Sequence, residues 1–282
     1  MPETLISLEN VSHIFSRGTP METTVLKDVS MTVKKGESVG IMGRPGSGKT
    51  TLAKILSGLI TPSKGRVKTP GTGPGKIGLL FQLPEDQLFC GTVYNEITYS
   101  LRVVAGLSGA ELEAPYRSAC KRMGIDADLF RDRNDSEMSG GEKRRVAIAS
   151  VLAMDPSILI FDEPTAGLDH DGRKAIMSEI GKLSAEGITT IIISHEIDCL
   201  MELADRLILI DNGCITSDGP AKDVLATMAG RDDELHLLPF VTEIMVSLNK
   251  MGLNVRRDIF DPDEALIEIK KAVAEEKKRG AD

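Results

Sequence analysis

The sequence predicts an α/β fold, in which buried strands deliver ligand-binding loops at their C-terminal ends and helices cover the sheet. Three observations carry that expectation. The first is the glycine-rich run Gly43-Arg44-Pro45-Gly46-Ser47-Gly48-Lys49-Thr50-Thr51, which follows a short apolar strand-like run, Ser38-Val39-Gly40-Ile41-Met42. Beyond it, Leu52, Ile55, Leu56 and Leu59 fall at helical spacing. The second is Ser157-Ile158-Leu159-Ile160-Phe161, an unbroken apolar strand that ends in Asp162-Glu163. The third, Ile188-Thr189-Thr190-Ile191-Ile192-Ile193-Ser194, is of the same kind and ends at His195.

Strand, glycine loop and helix start form the context in which G-x-x-x-x-G-K-[ST] binds phosphate. Glycines let backbone N–H groups converge on phosphate oxygens, and the helix N-terminus adds partial positive charge. In such a loop Lys49 reaches the β- and γ-phosphates and the Thr50 hydroxyl sits on Mg²⁺. An ordinary glycine-rich turn would need neither the flanking elements nor the Lys-Thr pair. Adjacent carboxylates after a buried strand are costly unless a cation or water chain uses them. Strand ends of this kind are where α/β sheets place ligands. A lone histidine is more often structural, but His195 shares that strand-end position with Asp162 and Glu163.

Composition narrows the function classes. The 282 residues are 41% hydrophobic and 27% charged, enough for one large domain or two unequal ones with a sizeable core. A net charge of −8 gives nucleic-acid binding no electrostatic support. Cys90, Cys120, Cys199 and Cys214 are scattered, with no C-x-x-C pair, and fit a reducing cytosol better than a disulfide framework or zinc site. Met1-Pro2-Glu3-Thr4-Leu5 lacks the basic start and apolar core of a secretory signal. No apolar run approaches the roughly 20 residues that span a bilayer, so a membrane role is expected to come through a partner.

In chain order, Leu5 to Ser12 alternates apolar and polar residues as a strand, and Val25 to Val33 resumes that character after the turn-rich Arg17-Gly18-Thr19-Pro20. The opening therefore predicts an antiparallel β layer against the phosphate-binding core. Phe15, at the end of that first strand, reads from the residues alone as a core ring before a stacking surface. Thr69 to Gly75 is a tight loop, and Ile77-Gly78-Leu79-Leu80-Phe81 is a strand ending at Gln82. Residues 92–123 read as helices interrupted at Leu107-Ser108-Gly109, a connecting turn. Ser139-Gly140-Gly141-Glu142 opens another helix, either as a plain cap or as a second anion site. Arg206 to Thr216 is a hairpin with an Asn212-Gly213 turn, and Asp218-Gly219-Pro220 with a short helix through Met228 closes the core domain.

Taken together, these pieces resemble the nucleotide-binding domain of ATP-binding cassette (ABC) proteins over about residues 5–228. Walker A is Gly43 to Thr51, the Q-loop glutamine is Gln82, and the signature is Met138-Ser139-Gly140-Gly141-Glu142. Walker B is Ile158 to Asp162, the catalytic glutamate is Glu163, the D-loop is Ala166-Gly167-Leu168-Asp169, and the switch histidine is His195. The resemblance implies a RecA-like P-loop NTPase core with an antiparallel β subdomain, an α-helical signature subdomain over about 83–150, and ATP and Mg²⁺ as ligands. It also assigns Phe15 to the aromatic that stacks on adenine, reversing the core reading. Metal contacts fall to Thr50, Gln82 and Asp162, and nucleotide contacts to the whole Walker A run with Ser139, Gly140, Gly141, Glu142 and Asp169. Glu142 and Met138 replace the family's Gln and Leu.

Phe81 to Phe89 with Gly91-Thr92-Val93, Gly141 to Ala149, and Leu237, Pro239, Phe240, Val241 and Thr242 are similar to the ATPases of energy-coupling factor transporters, a group that includes cobalt and nickel transporters. That implies a peripheral subunit on the cytoplasmic side of the cell membrane, importing a vitamin or transition-metal ion. It implies a second ATPase subunit, identical or not, a transmembrane coupling subunit and a substrate-binding membrane subunit. The cassette is expected to span 1–232 and a helical extension for subunit pairing 233–282. In that extension Phe240, Ile244, Leu248 and Met251 form a helical stripe, Gly252 stops it, and Asp261-Pro262-Asp263-Glu264 supplies N-cap, N1 proline and capping-box glutamate for a last helix. The alternative is a non-transport cassette for repair, translation or cluster assembly; of these a repair ATPase would carry a long coiled-coil insertion and a translation factor two cassettes in tandem, and this sequence shows neither. A GTPase reading fails at Asn249-Lys250-Met251-Gly252, which lacks the aspartate of N-K-x-D. A small-molecule kinase has no need of Ser139-Gly140-Gly141.

Overall fold

The computed structural model describes residues 3–69, 75–83, 87–229 and 238–279. The tight loop at 70–74, the Pro84-Glu85-Asp86 part of the Q-loop region and the expected boundary at 232/233 lie outside the described residues. Strands β1 (Thr4–Phe15), β2 (Thr23–Lys34) and β4 (Lys64–Lys68) form an antiparallel sheet of order β2-β1-β4, as the alternating pattern requires. A second, six-stranded sheet contains β3 (Ser38–Met42), β5 (Ile77–Leu80), β6 (Ile158–Asp162), β7 (Thr189–Ile193), β8 (Arg206–Asp211) and β9 (Cys214–Pro220). Its order is β5-β6-β7-β3-β8-β9. Pairs are parallel up to β8, and β9 is an antiparallel edge.

Every residue of β3, β6 and β7 is buried, the consequence of a parallel sheet covered on both faces. One core joins the inner face of the antiparallel layer (Ile6, Leu8, Leu26, Val33), helix α1 (Lys49–Leu56) through Leu52 and Ile55, and one face of the main sheet through Ile160 and Ile191. The register pairs Ile193 with both Ile41 and Asp162, so β3, β6 and β7 end at one edge. Registry of the ends is what makes a site there.

The helical subdomain consists of α2 (Val93–Val103), α3 (Glu113–Arg122), the short α4 (Ala127–Phe130) and α5 (Gly140–Leu152). Thr92 caps α2 by accepting from the Asn95 N–H at 3.3 Å. The Ser108 turn between helices is confirmed, with Ser108 and Glu111 closing a capping box on a single 3₁₀ turn. Helices α6 (His170–Ala185), α7 (Ile197–Leu203) and α8 (Ala221–Ala229) complete the cassette. No helix among the described residues is long and apolar enough to cross a membrane.

The extension contributes α9 (Phe240–Lys250) and α10 (Pro262–Arg279) around a small core of Met245, Val255, Ile259, Ala265 and Ala272. One detail differs from the sequence reading. Asp261 does accept from the Glu264 N–H at 2.8 Å, but the Glu264 carboxylate pairs with Arg256 at 2.9 Å instead of closing a box, because a charged donor outbids a backbone amide. Of the helical stripe only Leu248 packs inward; Phe240 and Met251 are 71% and 83% exposed, since the inward side of α9 is set by Thr242, Met245 and Val246.

The hairpin of β8 and β9 turns on Asn212 and Gly213, with φ of 48° and 81°, the left-handed pair of a type I′ turn. Gly213 then reaches beyond the hairpin: its N–H donates to Ser47 O at 3.1 Å and its carbonyl accepts from the Lys27 N–H at 2.8 Å. A Cβ at Gly213 would collide with the Val25 carbonyl. We therefore expect Gly213→Ala to cost about 1–3 kcal/mol, read from the urea midpoint; an unchanged midpoint would show that the tip is not held as described.

Candidate active site

The glycine run wraps the start of α1. Gly48 is its N-cap at φ 105°, and a Cβ there would stand 2.8 Å from Leu26 Cδ2 and 2.9 Å from the Val25 carbonyl. Arg44, Pro45, Gly46 and Thr50 are exposed, Thr51 is half-buried, and Gly43, Ser47, Gly48 and Lys49 are buried. The Ser47 hydroxyl is buried without a hydrogen-bond partner among the described residues. Lys49 donates through Nζ to the carbonyls of Gly43 at 2.7 Å and Arg44 at 3.0 Å. Burial pushes its pKa below the usual lysine range, and the charges of Glu163 and Asp162 oppose that. The loop thus holds its cation over its own carbonyls.

Asp162 ends β6 with 5% of its surface exposed, and the Thr50 side chain is near enough to its carboxylate to favour the charged form. Burial nevertheless pushes its pKa up, assisted by Glu163, against the pull of Thr50, Lys49 and Lys54. Glu163 follows at φ 55°, a left-handed backbone that a non-glycine residue adopts only under constraint. The constraint is visible: its N–H donates to Ile193 O at 2.8 Å. Its carboxylate accepts from Ser194 Oγ at 3.1 Å and the His195 N–H at 3.1 Å, and lies 2.9 Å from His195 Nδ1. The Glu163 side chain is 15% exposed and that of His195 58%. One carboxylate is thereby aimed from a fixed position while its imidazole partner stands at the surface. Such an edge can hold a phosphate chain and orient a water for attack on it.

The remaining sequence-designated residues lie around this group. The Phe15 ring is 41% exposed and packs edge-on against His13 at 4.6 Å, so it is not the closed core ring that the residues alone suggested. Gln82 is exposed directly beyond β5. Ser139, Gly140 and Gly141 are exposed at the head of α5. The Glu142 carboxylate accepts from the Ser139 N–H at 2.7 Å and from Ser139 Oγ at 2.9 Å, which holds its pKa below the usual carboxylate range, and it pairs with Arg133 at 3.4 Å. Glu142 thus closes a capping box with Ser139, as the family's glutamine could also do. Asp169 caps α6 by accepting from the Gly172 N–H at 2.8 Å.

The family model for ABC transporters matches residues 26–166. The energy-coupling factor transporter ATP-binding protein EcfA2 of Clostridium perfringens is 36% identical over 279 residues, covering 94% of this chain and 98% of the relative. The chain belongs to the ABC transporter family. Among solved structures, cbiO1 from Clostridium perfringens, part of the ABC transporter complex cbiONQ, is similar with a TM-score of 0.71 and 32% identity, covering 89% of this chain and 98% of that one. The dimeric post-hydrolysis structure of the ATP-binding cassette MJ0796 with ADP and Pi has a TM-score of 0.64 and 29% identity, covering 77% and 98%. The protein is an ABC ATPase with the P-loop cassette fold.

Within this ABC ATPase, the strand ends bring Lys49, Thr50, Asp162, Glu163 and His195 to one edge, whereas the bonds of Ser139 stay in the first turn of α5. Residue-by-residue reading passed over Ser194, whose hydroxyl both holds Glu163 and accepts from the Glu196 N–H at 3.0 Å; its position at the end of β7 was the available signal. It also passed over Arg144, 2% exposed, which a run of three basic residues disguises as a solvated face.

The buried aspartate makes a pH-dependent prediction. A carboxyl whose pKa is raised on folding stabilises the fold only while protonated, so its contribution is lost as pH rises through its folded value. Asp162→Asn, without nucleotide, is therefore expected to melt a few degrees above the unaltered protein at pH 7. The difference should vanish near pH 4 and below, where the aspartate is protonated too. Equal melting temperatures at pH 7 would contradict the burial penalty.

Proposed function

We propose that this ABC ATPase is the ATP-hydrolysing subunit of an energy-coupling factor importer, acting at the cytoplasmic face of the cell membrane to power uptake of a vitamin or transition-metal ion. The observation that carries the reading is the Glu163–His195 pair, fixed beside Lys49, Thr50 and Asp162 in a chain that aligns over nearly its whole length with an energy-coupling factor ATP-binding subunit. Lys49 and the amides from Gly43 to Thr51 hold the β- and γ-phosphates. Phe15 offers its open ring to adenine.

The oxygen donors Thr50, Asp162 and Gln82 suit a hard dication, and the Thr50 side chain lies near the Asp162 carboxylate. Mg²⁺ held there would neutralise charge on the phosphates. Asp162 acts through water. Glu163, kept in place by Ser194 and the His195 amide, polarises the attacking water, and His195 contacts the γ-phosphate. This is positioning plus electrostatics, without a covalent intermediate.

The signature turn Ser139-Gly140-Gly141 with Glu142, and Asp169 of the D-loop, serve the site of a second ATPase subunit, which its exposure permits. The extension supports that pairing: Phe240 and Ile244 on α9, with Ile267 on α10, leave apolar side chains exposed. The transmembrane coupling subunit docks beside the Q-loop. There Leu88 is half-buried on the core while Phe89, 69% exposed and edge-on to Tyr99 at 5.1 Å, is the open half of that apolar pair. Cargo is selected by a substrate-binding membrane subunit.

Two experiments test this reading. Glu163→Gln should keep MgATP affinity yet lose turnover by on the order of 100-fold or more, while Lys49→Ala loses affinity itself; a normal rate in Glu163→Gln rejects the assigned base. Phe240→Ser with Ile244→Ser should weaken nucleotide-free self-association by about tenfold or more without lowering the melting temperature. Unchanged sedimentation would remove the extension from the pairing role.

A further inference from the structure

Arg144 is the largest fully buried side chain of the described residues, at 2% exposure, and it sits one turn into α5, directly behind the signature turn. Its guanidinium does not stay on its own helix. Nη1 donates to the Pro164 carbonyl at 3.1 Å, and Nη2 to the carbonyls of Gln82 at 3.3 Å and Ala166 at 3.4 Å. Gln82 lies past the end of β5, and Pro164 and Ala166 belong to the stretch between Glu163 and Asp169. A charge removed from water needs hydrogen bonds in its place, and only the planar, five-donor guanidinium reaches carbonyls of separate segments at once.

The stretch after Glu163 is held from the other side as well. Thr165 Oγ1 donates to Glu196 Oε2 at 3.1 Å, Arg173 pairs with Glu196 at 2.6 Å, and Arg173 Nε donates to Leu168 O at 3.2 Å. Ala166 N donates back to Glu163 O at 3.1 Å. The backbone that follows Glu163 therefore lies between two charged clamps. One of them, Arg144, is carried by the signature helix.

We propose that Arg144 is a positioning residue that ties the signature turn to this chain's own hydrolytic edge, setting Gln82 and the 164–166 backbone, and through it Glu163, according to the position of α5. The inference rests on the proposed service of Ser139-Gly140-Gly141 to a second subunit's nucleotide. A phosphate arriving at that turn pulls on the first turn of α5, and Arg144 passes the displacement to Gln82 and to the Glu163 segment of the same chain. Each site of a pair thereby registers occupancy of the other through one buried fork.

The test uses the full-length chain. Arg144→Lys keeps charge but loses the fork, and is expected to lower kcat by about tenfold or more with KM and MgATP affinity within about threefold of the unaltered protein. Ser139→Ala is measured beside it, and the double variant should lose less than the product of the two single losses. Normal turnover in Arg144→Lys, an affinity loss parallel to the kcat loss, or multiplicative losses in the double variant would each overturn the tie. If Ser139→Ala turns over normally, it is the signature reading that has failed, and the tie falls with it for a reason distinct from the Arg144 result. Hydrogen exchange on the unaltered protein covers the case in which the lysine variant does not fold. On titration with MgATP, protection of the first turn of α5 and of residues 164–168 should change with one midpoint, and separate midpoints would overturn the tie.

Discussion

A lysine and an aspartate, each less than a tenth exposed, stand at the rim of an otherwise apolar sheet, and much of the cassette is arranged to tolerate them. Neither is comfortable there: burial lowers the pKa of Lys49 and raises that of Asp162. Buried charge survives only where polar groups converge. The parallel register of β3, β6 and β7 supplies that convergence by ending three strands together, so that loop carbonyls, a threonine hydroxyl and a second carboxylate all fall within reach. The discomfort is also the binding capacity. In the proposed reading, a polyphosphate and its counter-cation would add to the charges that Lys49 and Asp162 already offer each other.

Much of this was legible in the sequence because buried parallel strands cannot be disguised. Largely apolar runs beginning at Ser38, Ser157 and Ile188, each followed by a chemically distinctive residue, announce both sheet and site edge. The Asn212-Gly213 turn is equally plain, since few other pairs accept two left-handed conformations. What stayed hidden was partnership across the chain. Arg144 looks like its neighbours Lys143 and Arg145 until the carbonyls around it are seen. In α9, apolar residues on more than one side left the core-facing stripe undecided, and the packing of Val255 and Ile259 decides it. Phe15 is similar: a ring at a strand end is core or platform according to how it is covered, and here it is 41% exposed with the His13 ring edge-on.

Glu142 shows how a departure from the family pattern can be locally favourable. Its carboxylate takes up both donors of Ser139 and pairs with Arg133, so the first turn of α5 is a completed cap with its charge compensated. The hydroxyl so engaged is not free for another acceptor until that bond is given up. A glutamine could make the same cap without the charge, so what the carboxylate adds here is its pairing with Arg133.

The tip of the β8–β9 hairpin has a wider reach than a turn usually has. Through Gly213 it is bonded to the glycine run at Ser47 and to β2 at Lys27, and β2 in turn carries Thr23 opposite Phe15. Main chain alone thus links the aromatic ring to the phosphate-facing loop, with no flexible side chain in the path. With Phe15 in its proposed role, that main-chain path would set the spacing between the base platform and the loop that takes the β- and γ-phosphates.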